Sequence, residues 1–206
     1  MYALVESGSV TKLFPYPKGF MLNNTQYSPD IFYKWTKSEK EAIGIYEVIT
    51  DSSNKKDEKW YINTNESYSF ADNQVTRSWG TATAKAHADS LWTEEDKTDG
   101  NIPEGKDVGD VKAEGLKTIL IRNIKAQAAN ELKNTDWYII RKADAGTAVP
   151  SLITTHRAAV RTKCAEMETA ITNAADTPAL ETLYTYTEQE DGSITRPLGE
   201  FPRLED

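Results

Sequence analysis

Two hydrophobic periods divide the chain. Up to about residue 80 the apolar positions come in short alternating runs. Tyr2-Ala3-Leu4-Val5 and Val10-Thr11-Lys12-Leu13-Phe14 flank Glu6-Ser7-Gly8-Ser9, a hairpin pattern with a short glycine-containing loop. Pro15 and Pro17 end the second strand, because proline cannot donate to a ladder. Ser38 with Glu41 three residues on has the spacing of a capping box, and Gly44 supplies the stop of a short helix. Ile45-Tyr46-Glu47-Val48-Ile49-Thr50 alternates and is β-branched, which predicts a strand, and the polar stretch Asp51 to Glu58 predicts a loop. Trp60-Tyr61-Ile62, Tyr68-Ser69-Phe70 and Gln74-Val75-Thr76-Arg77-Ser78-Trp79 then read as a meander of two or three strands with aromatic cross-strand partners. Ala82 to Trp92 shows no clear period.

Beyond residue 110 the period becomes 3.6. Leu116, Ile119, Leu120, Ile124, Ala128 and Leu132 fall on one face, with Lys117, Arg122, Lys125 and Glu131 on the other. Asn134-Thr135-Asp136 ends that helix, since these side chains compete for backbone groups. Trp137-Tyr138-Ile139-Ile140 is too short a run for a helix and predicts an extended or turn segment, with Ala145-Gly146 a second break. From Pro150, tolerated in a first turn, Ile153, Val160, Cys164, Met167 and Ile171 mark the buried stripe of a helix of roughly 20 residues. Thr177-Pro178 opens a short third helix carrying Leu180, Leu183 and Tyr184.

Charge sharpens these boundaries. The chain has 206 residues, 24 Lys or Arg and 32 Asp or Glu, a net of −8. Residues 1–88 are neutral and 111–184 carry +2, so the excess lies in 89–110, at −6, and 185–206, at −4. Both acidic segments are rich in turn formers, as in Asp99-Gly100-Asn101-Ile102-Pro103-Glu104-Gly105 and Arg196-Pro197-Leu198-Gly199. Like charges repel and Gly and Pro break regular structure, so the expectation is a linker and a tail. The predicted architecture is α+β: a small N-terminal antiparallel β domain (1–88), an acidic linker (89–110), a helical hairpin with a short third helix (111–184) and an extended acidic tail (185–206). Fully extended, the linker could span about 75 Å.

The same arithmetic excludes function classes. An acidic chain lacks the clustered cations of a general nucleic-acid coat. No run approaches 18 apolar residues, and Met1–Val5 meets Glu6 without a basic flank, so neither a membrane span nor a secretory signal is expected. One cysteine and two histidines leave disulfide frameworks, thiolate zinc sites and most histidine chemistry short of parts. Cys164 and His156 lie eight residues apart on one helix, about 12 Å, too far for a nucleophile pair. His87, Asp89 and Ser90 are sequence neighbours without the strand–turn–helix frame of a nucleophile elbow, and read as a solvated segment. Glu94-Glu95-Asp96-Lys97-Thr98-Asp99-Gly100-Asn101 offers oxygens but lacks the alternating spacing and closing glutamate of a calcium loop. Gly105, Gly109 and Gly115 lack the Lys-Ser/Thr ending of a phosphate loop. The expectation is no catalytic, cofactor-binding or metal-binding residue. The aromatic residues Trp35, Trp60, Tyr61, Tyr68, Trp79 and Trp92 serve either a β core or a sugar-stacking or interface surface, and core packing is the simpler use. For Arg141, Lys142, Arg157 and Arg161, pairing with Asp136, Asp144 or Glu168 stands beside plain solvation.

Two stretches carry a resemblance. Met1-Tyr2-Ala3-Leu4-Val5 through Pro15-Tyr16-Pro17 to Gly44-Ile45-Tyr46-Glu47-Val48 resembles the start of small tail-fibre-associated proteins of tailed bacteriophages. Glu131-Leu132-Lys133-Asn134-Thr135-Asp136-Trp137-Tyr138-Ile139-Ile140-Arg141-Lys142, followed by Gly146, Val149-Pro150 and Arg157-Ala158-Ala159-Val160-Arg161, is similar to a module of phage tail-fibre assembly and tail-assembly chaperone families. His156 stands where that pattern usually has tyrosine. The resemblance covers about half of the chain and is the more specific in the second stretch. It implies a non-enzymatic tail, fibre or baseplate component, made in the host cytoplasm and carried in the virion tail. Its partners would be other tail, fibre or baseplate proteins, met in several copies in a symmetric assembly, with no nucleic acid or membrane. An assembly chaperone absent from the particle and a carbohydrate-binding adhesin module are the alternatives. In this reading Thr135 and Asp136 satisfy a helix terminus, Trp137 fills the space between the two helices, and Arg157 and Arg161 reach the intervening loop.

Overall fold

The computed structural model describes residues 1–204 and divides them into two compact units, one of Met1–Thr83 and one from Ala84 onward. Helices and antiparallel-rich strands are both present, an α+β mixture. Among the described residues no helix is long and apolar enough to cross a membrane.

The first unit runs β1 (Tyr2–Glu6), β2 (Ser9–Phe14), β3 (Phe20–Leu22), β4 (Thr25–Tyr27), α1 (Ile31–Lys34), α2 (Lys37–Ala42), β5 (Ile45–Thr50), β6 (Tyr61–Ile62), β7 (Ser67–Ala71) and β8 (Gln74–Ser78). Three hairpins turn on two residues that both have positive φ: Ser7-Gly8, Asn23-Asn24 and Asp72-Asn73. Such turns match the right-handed twist of the strands they join. Five strands form one sheet in the order β2-β1-β5-β8-β7. It is not the purely antiparallel sheet expected, because Val48, Ile49 and Thr50 of β5 pair in parallel with Val75, Thr76 and Arg77 of β8. The first half of β5 is antiparallel to β1, with Tyr46 opposite Ala3. The sheet curls far enough for its edge strands β2 and β7 to touch. Inside lie Leu4, Phe14, Phe20, Ile31, Phe32 and Ile45, with Tyr2, Leu22, Tyr27, Trp35 and Ile43 packed against them. Phe14 holds Phe20 at 4.8 Å and Phe32 at 5.4 Å between ring centroids, in the tilted geometry that ring quadrupoles favour. The capping box is present but shifted by two residues: Thr36 caps α2 with Glu39, and Ser38 is inside the helix. Trp35 packs on the core, which leaves Thr36 as the first residue free to start the helix.

The second unit adds β10 (Ser90–Leu91), α3 (Glu94–Thr98), β11 (Val111–Ala113), α4 (Leu116–Lys133), α5 (Asp136–Ala145), α6 (Ser151–Asn173), α7 (Thr177–Tyr184), β12 (Thr187–Glu188) and β13 (Ile194–Thr195), after the short β9 (Thr83–Ala84). α4 packs on α6. The buried stripes are Leu120, Ile124 and Ala128 on one helix, and Ile153, His156, Arg157, Val160, Met167 and Ile171 on the other. Asp176 caps α7 by accepting from Ala179 N–H at 2.8 Å, and buried Thr177 donates to the Lys85 carbonyl at 2.6 Å.

Three expectations are corrected here. Residues 89–110 are not an extended linker. Ser90 pairs with Ala113 and Leu91 with Val111, while Trp92 and the Asp110–Gly109 turn exchange backbone hydrogen bonds of 2.9 Å each. The segment closes on itself within the second unit, and its acidic start is a capped helix turn, Thr93 with Asp96. Residues 185–204 are not an extended tail. β12 and β13 form a hairpin, and Leu198 is buried with its N–H donating to the Leu183 carbonyl at 3.0 Å. Glu205 and Asp206, the end of that predicted tail, lie outside the described residues. Finally, Trp137–Ile140 is not extended: it is the first half of the helix α5.

Candidate functional site

The most unusual local feature is the junction of α4, α5 and α6. α4 ends at Asn134, and Thr135, only 2% exposed, folds back to bond the Leu132 carbonyl through both its N–H (3.0 Å) and its hydroxyl (2.8 Å). Arg157 arrives from α6. Its Nη1 donates to the Leu132 carbonyl at 2.8 Å, to Thr135 Oγ1 at 2.6 Å and to Asp136 Oδ1 at 2.9 Å. A cation is favoured at a helix C-terminus, where carbonyls are left without intrahelical partners. The Arg157 side chain is 9% exposed, whereas its partner Asp136 is 52% exposed. Arg157 thus reaches the loop, whereas Arg161, expected to reach it as well, donates to the Arg157 carbonyl on its own helix.

α5 starts at this anchor, with Asp136 as its first residue. Not one residue of the helix is buried. Trp137 and Ile140 are each 61% exposed, and Ile139 and the nearby Leu152 of α6 are also exposed. The expectation that Trp137 fills the space between helices is overturned: the stripes of α4 and α6 close on each other without it. Gly146, at φ +66°, ends α5 and returns the chain toward Pro150.

A cleft of about 360 Å³ lies beside α5, lined by Ile139, Lys142, Val149, Thr154, Arg157 and Arg161, with Ala148. Three of these are cations, and among the described residues only Arg157 meets a carboxylate. Arg161 donates at 3.4 Å to the Arg157 carbonyl.

The other candidates resolve as structure. Cys164 is half-buried and donates to Glu168 Oε1 at 3.3 Å, not to His156. Burial first, and then that hydrogen bond, push its thiol up from its ordinary pKa, the reverse of an activated nucleophile. Asp89 turns away from His87 and Ser90. Its Oδ1 accepts from Gly115 N–H at 2.6 Å and its Oδ2 from Thr118 Oγ1 at 2.8 Å, so it caps α4 from a distance. These two bonds lower its pKa. In the acidic segment Asp96 pairs with Lys112 at 2.6 Å, and among the described residues no group of three or more His, Cys, Asp or Glu could hold a metal ion.

Of the aromatic residues singled out, Trp60, Tyr61 and Trp79 are buried, and Trp35, Tyr68 and Trp92 are partly buried. Among the described residues, the rings that face solvent are Tyr16 and Tyr33 in the first unit and Trp137 and Tyr186 in the second. Trp137 was legible as an aromatic, but its exposure was not, because the run that contains it carries no 3.6 period. No family model, curated protein or solved structure matches the chain.

Proposed function

We propose that the chain is a non-enzymatic component of a bacteriophage tail, in the fibre or baseplate attachment region, that docks on other virion subunits. The observation that carries this reading is α5, a ten-residue helix with no buried residue that presents Trp137, Ile139 and Ile140 to solvent. Exposed apolar residues clustered on one element mark an interaction site, and tryptophan is among the residues enriched as anchors of such sites. The resemblance of Glu131–Lys142 to phage tail-fibre modules supports the same role, since that stretch builds the junction and the first half of α5. In this reading the curled-sheet unit and the helical unit engage different subunits. The acidic segment 89–110 does not set their spacing, because it is folded within the second unit.

Mass spectrometry of purified virions tests the proposal. The protein should be found at several copies per particle. Its absence from the particle, together with recovery on a fibre subunit from infected cells, would replace the virion role with that of an assembly chaperone. The adhesin alternative is weakened by the burial of Trp60 and Trp79, which removes two of the rings it needs.

A further inference from the structure

We propose that the cleft between α5 and α6 is the receptor for an acidic segment of a partner protein, with a carboxylate seated on Arg157, Arg161 and Lys142 and a neighbouring apolar side chain on Ile139 and Val149. This names the chemistry of the partner in the docking role above and rests on that role.

The charge map favours an anion. Residues 133–163 hold six Lys or Arg against two Asp, a net of +4 within a chain of net −8. Among the described residues Lys142 and Arg161, which line the cleft, make no ion pair, and the one carboxylate partner of Arg157 is half-exposed. All three hydrogen bonds of Arg157 leave from Nη1. Its Nε is enclosed without a hydrogen-bond partner, and among the described residues its one carboxylate neighbour is the half-exposed Asp136, so the nine-tenths-buried guanidinium brings positive charge to the cleft wall. Such a group is fixed in place by the Leu132 carbonyl and Thr135 before any ligand arrives. A pre-ordered arginine fork loses less rotamer freedom on binding than a free surface cation and suits a carboxylate.

The walls select among anions. Ile139 and Val149 lie inside the cleft, with Trp137, Ile140 and Leu152 exposed on the elements that border it. A nucleic-acid backbone repeats its charges and leaves aliphatic surface uncovered, whereas an acidic peptide with leucine- or valine-like neighbours satisfies both halves of the site. The acidic peptide is therefore the assigned occupant.

Fluorescence polarisation with the full chain tests this. The probe is a short labelled peptide alternating leucine and glutamate, compared with a leucine–glutamine peptide and a labelled oligothymidylate. The glutamate peptide should bind saturably, and weaken as salt is raised. Lys142→Glu and Arg161→Glu should each weaken binding roughly tenfold. Both side chains are exposed, so the variants should keep the parent's melting temperature. Arg157 is left unaltered because it holds the loop together. Equal binding of the glutamine peptide, no binding of either peptide, or tighter binding of the oligothymidylate overturns the assignment. The virion measurement is separate. Particles that retain the protein while the glutamate peptide fails to bind overturn the cleft and leave the tail role standing. Particles without the protein, with peptide binding intact and sensitive to both variants, support the cleft and overturn the tail role.

Discussion

Gly44 has φ +82°, and a Cβ placed on it would lie 2.6 Å from the Val5 carbonyl oxygen. Its own carbonyl accepts from Val5 N–H at 2.8 Å, so the backbone that would have to move is tied to β1. Gly44→Ala combines a left-handed backbone cost with a contact that no rotamer relieves, and should lower unfolding stability by about 3 kcal/mol. Gly8→Ala is the comparison: φ is +77° but nothing lies within 4 Å, so only the backbone cost of about 1 kcal/mol remains. Urea unfolding of the two variants measures the difference, and equal losses would show that β1 is free to shift. Asp89 makes a second prediction. Hydrogen bonds from Gly115 N–H and then Thr118 hold its pKa below the ordinary aspartate value of 3.8. A carboxylate whose folded pKa is depressed contributes stability above its unfolded pKa and loses it as pH falls through the folded one. The stability gap between the parent and Asp89→Asn should therefore be full at neutral pH and shrink only as acid reaches the lower end of the carboxylate range. A carbon-13 NMR titration of the carboxyl carbon locates the midpoint, and a value at or above 3.8 counts against the cap.

Elements differ in how plainly the chain announces them, and the reason is the range of the forces that fix each one. α4, α6 and α7 were legible because a stripe such as Leu120, Ile124 and Ala128 repeats a helix period that only one packing satisfies. α5 was not. Trp137-Tyr138-Ile139-Ile140 has the β-branched and aromatic content of a strand, and the helix that forms there buries nothing, so no stripe records it. The Asn23-Asn24 hairpin was missed since three-residue strands are too short to show alternation. The parallel pairing of β5 with β8 depends on residues 27 positions apart in the chain, Val48 and Val75 among them, and local pattern does not encode it. For the candidate site, the spacing of Arg157 from the Thr135-Asp136 loop was readable, but Arg161, expected there too, bonds the Arg157 carbonyl instead, and the exposure of α5 leaves no trace in composition. The anchor itself is testable. Arg157→Met removes three hydrogen bonds of a buried cation at once and should cost about 2 kcal/mol. Hydrogen exchange should show residues 132–145 losing protection by about tenfold while the α4–α6 stripe loses little. Uniform loss across both helices would mean that the guanidinium supports the whole pair.

At the scale of the whole molecule, apolar material is distributed unevenly. The curled sheet closes over its phenylalanines, and the stripes of α4 and α6 close over each other. Trp137 and Ile140 contribute to neither. A largely exposed residue that belongs to no buried cluster can be removed at little cost, usually within about 0.5 kcal/mol. A tryptophan buried at the centre of an interface commonly carries 2 kcal/mol or more, roughly thirtyfold in affinity. The pairing of these two magnitudes separates docking from packing. The double variant Trp137→Ser, Ile140→Ser should unfold at the same urea concentration as the parent. Its fluorescence should shift to shorter wavelength, because the most exposed of the five tryptophans has been removed. Its incorporation into virions should fall by at least tenfold at equal expression, since the partner subunit would face a helix stripped of its anchor. Unchanged incorporation with an unchanged midpoint would place the docking surface elsewhere, and the exposed Tyr16 and Tyr33 of the first unit would be the rings to replace next.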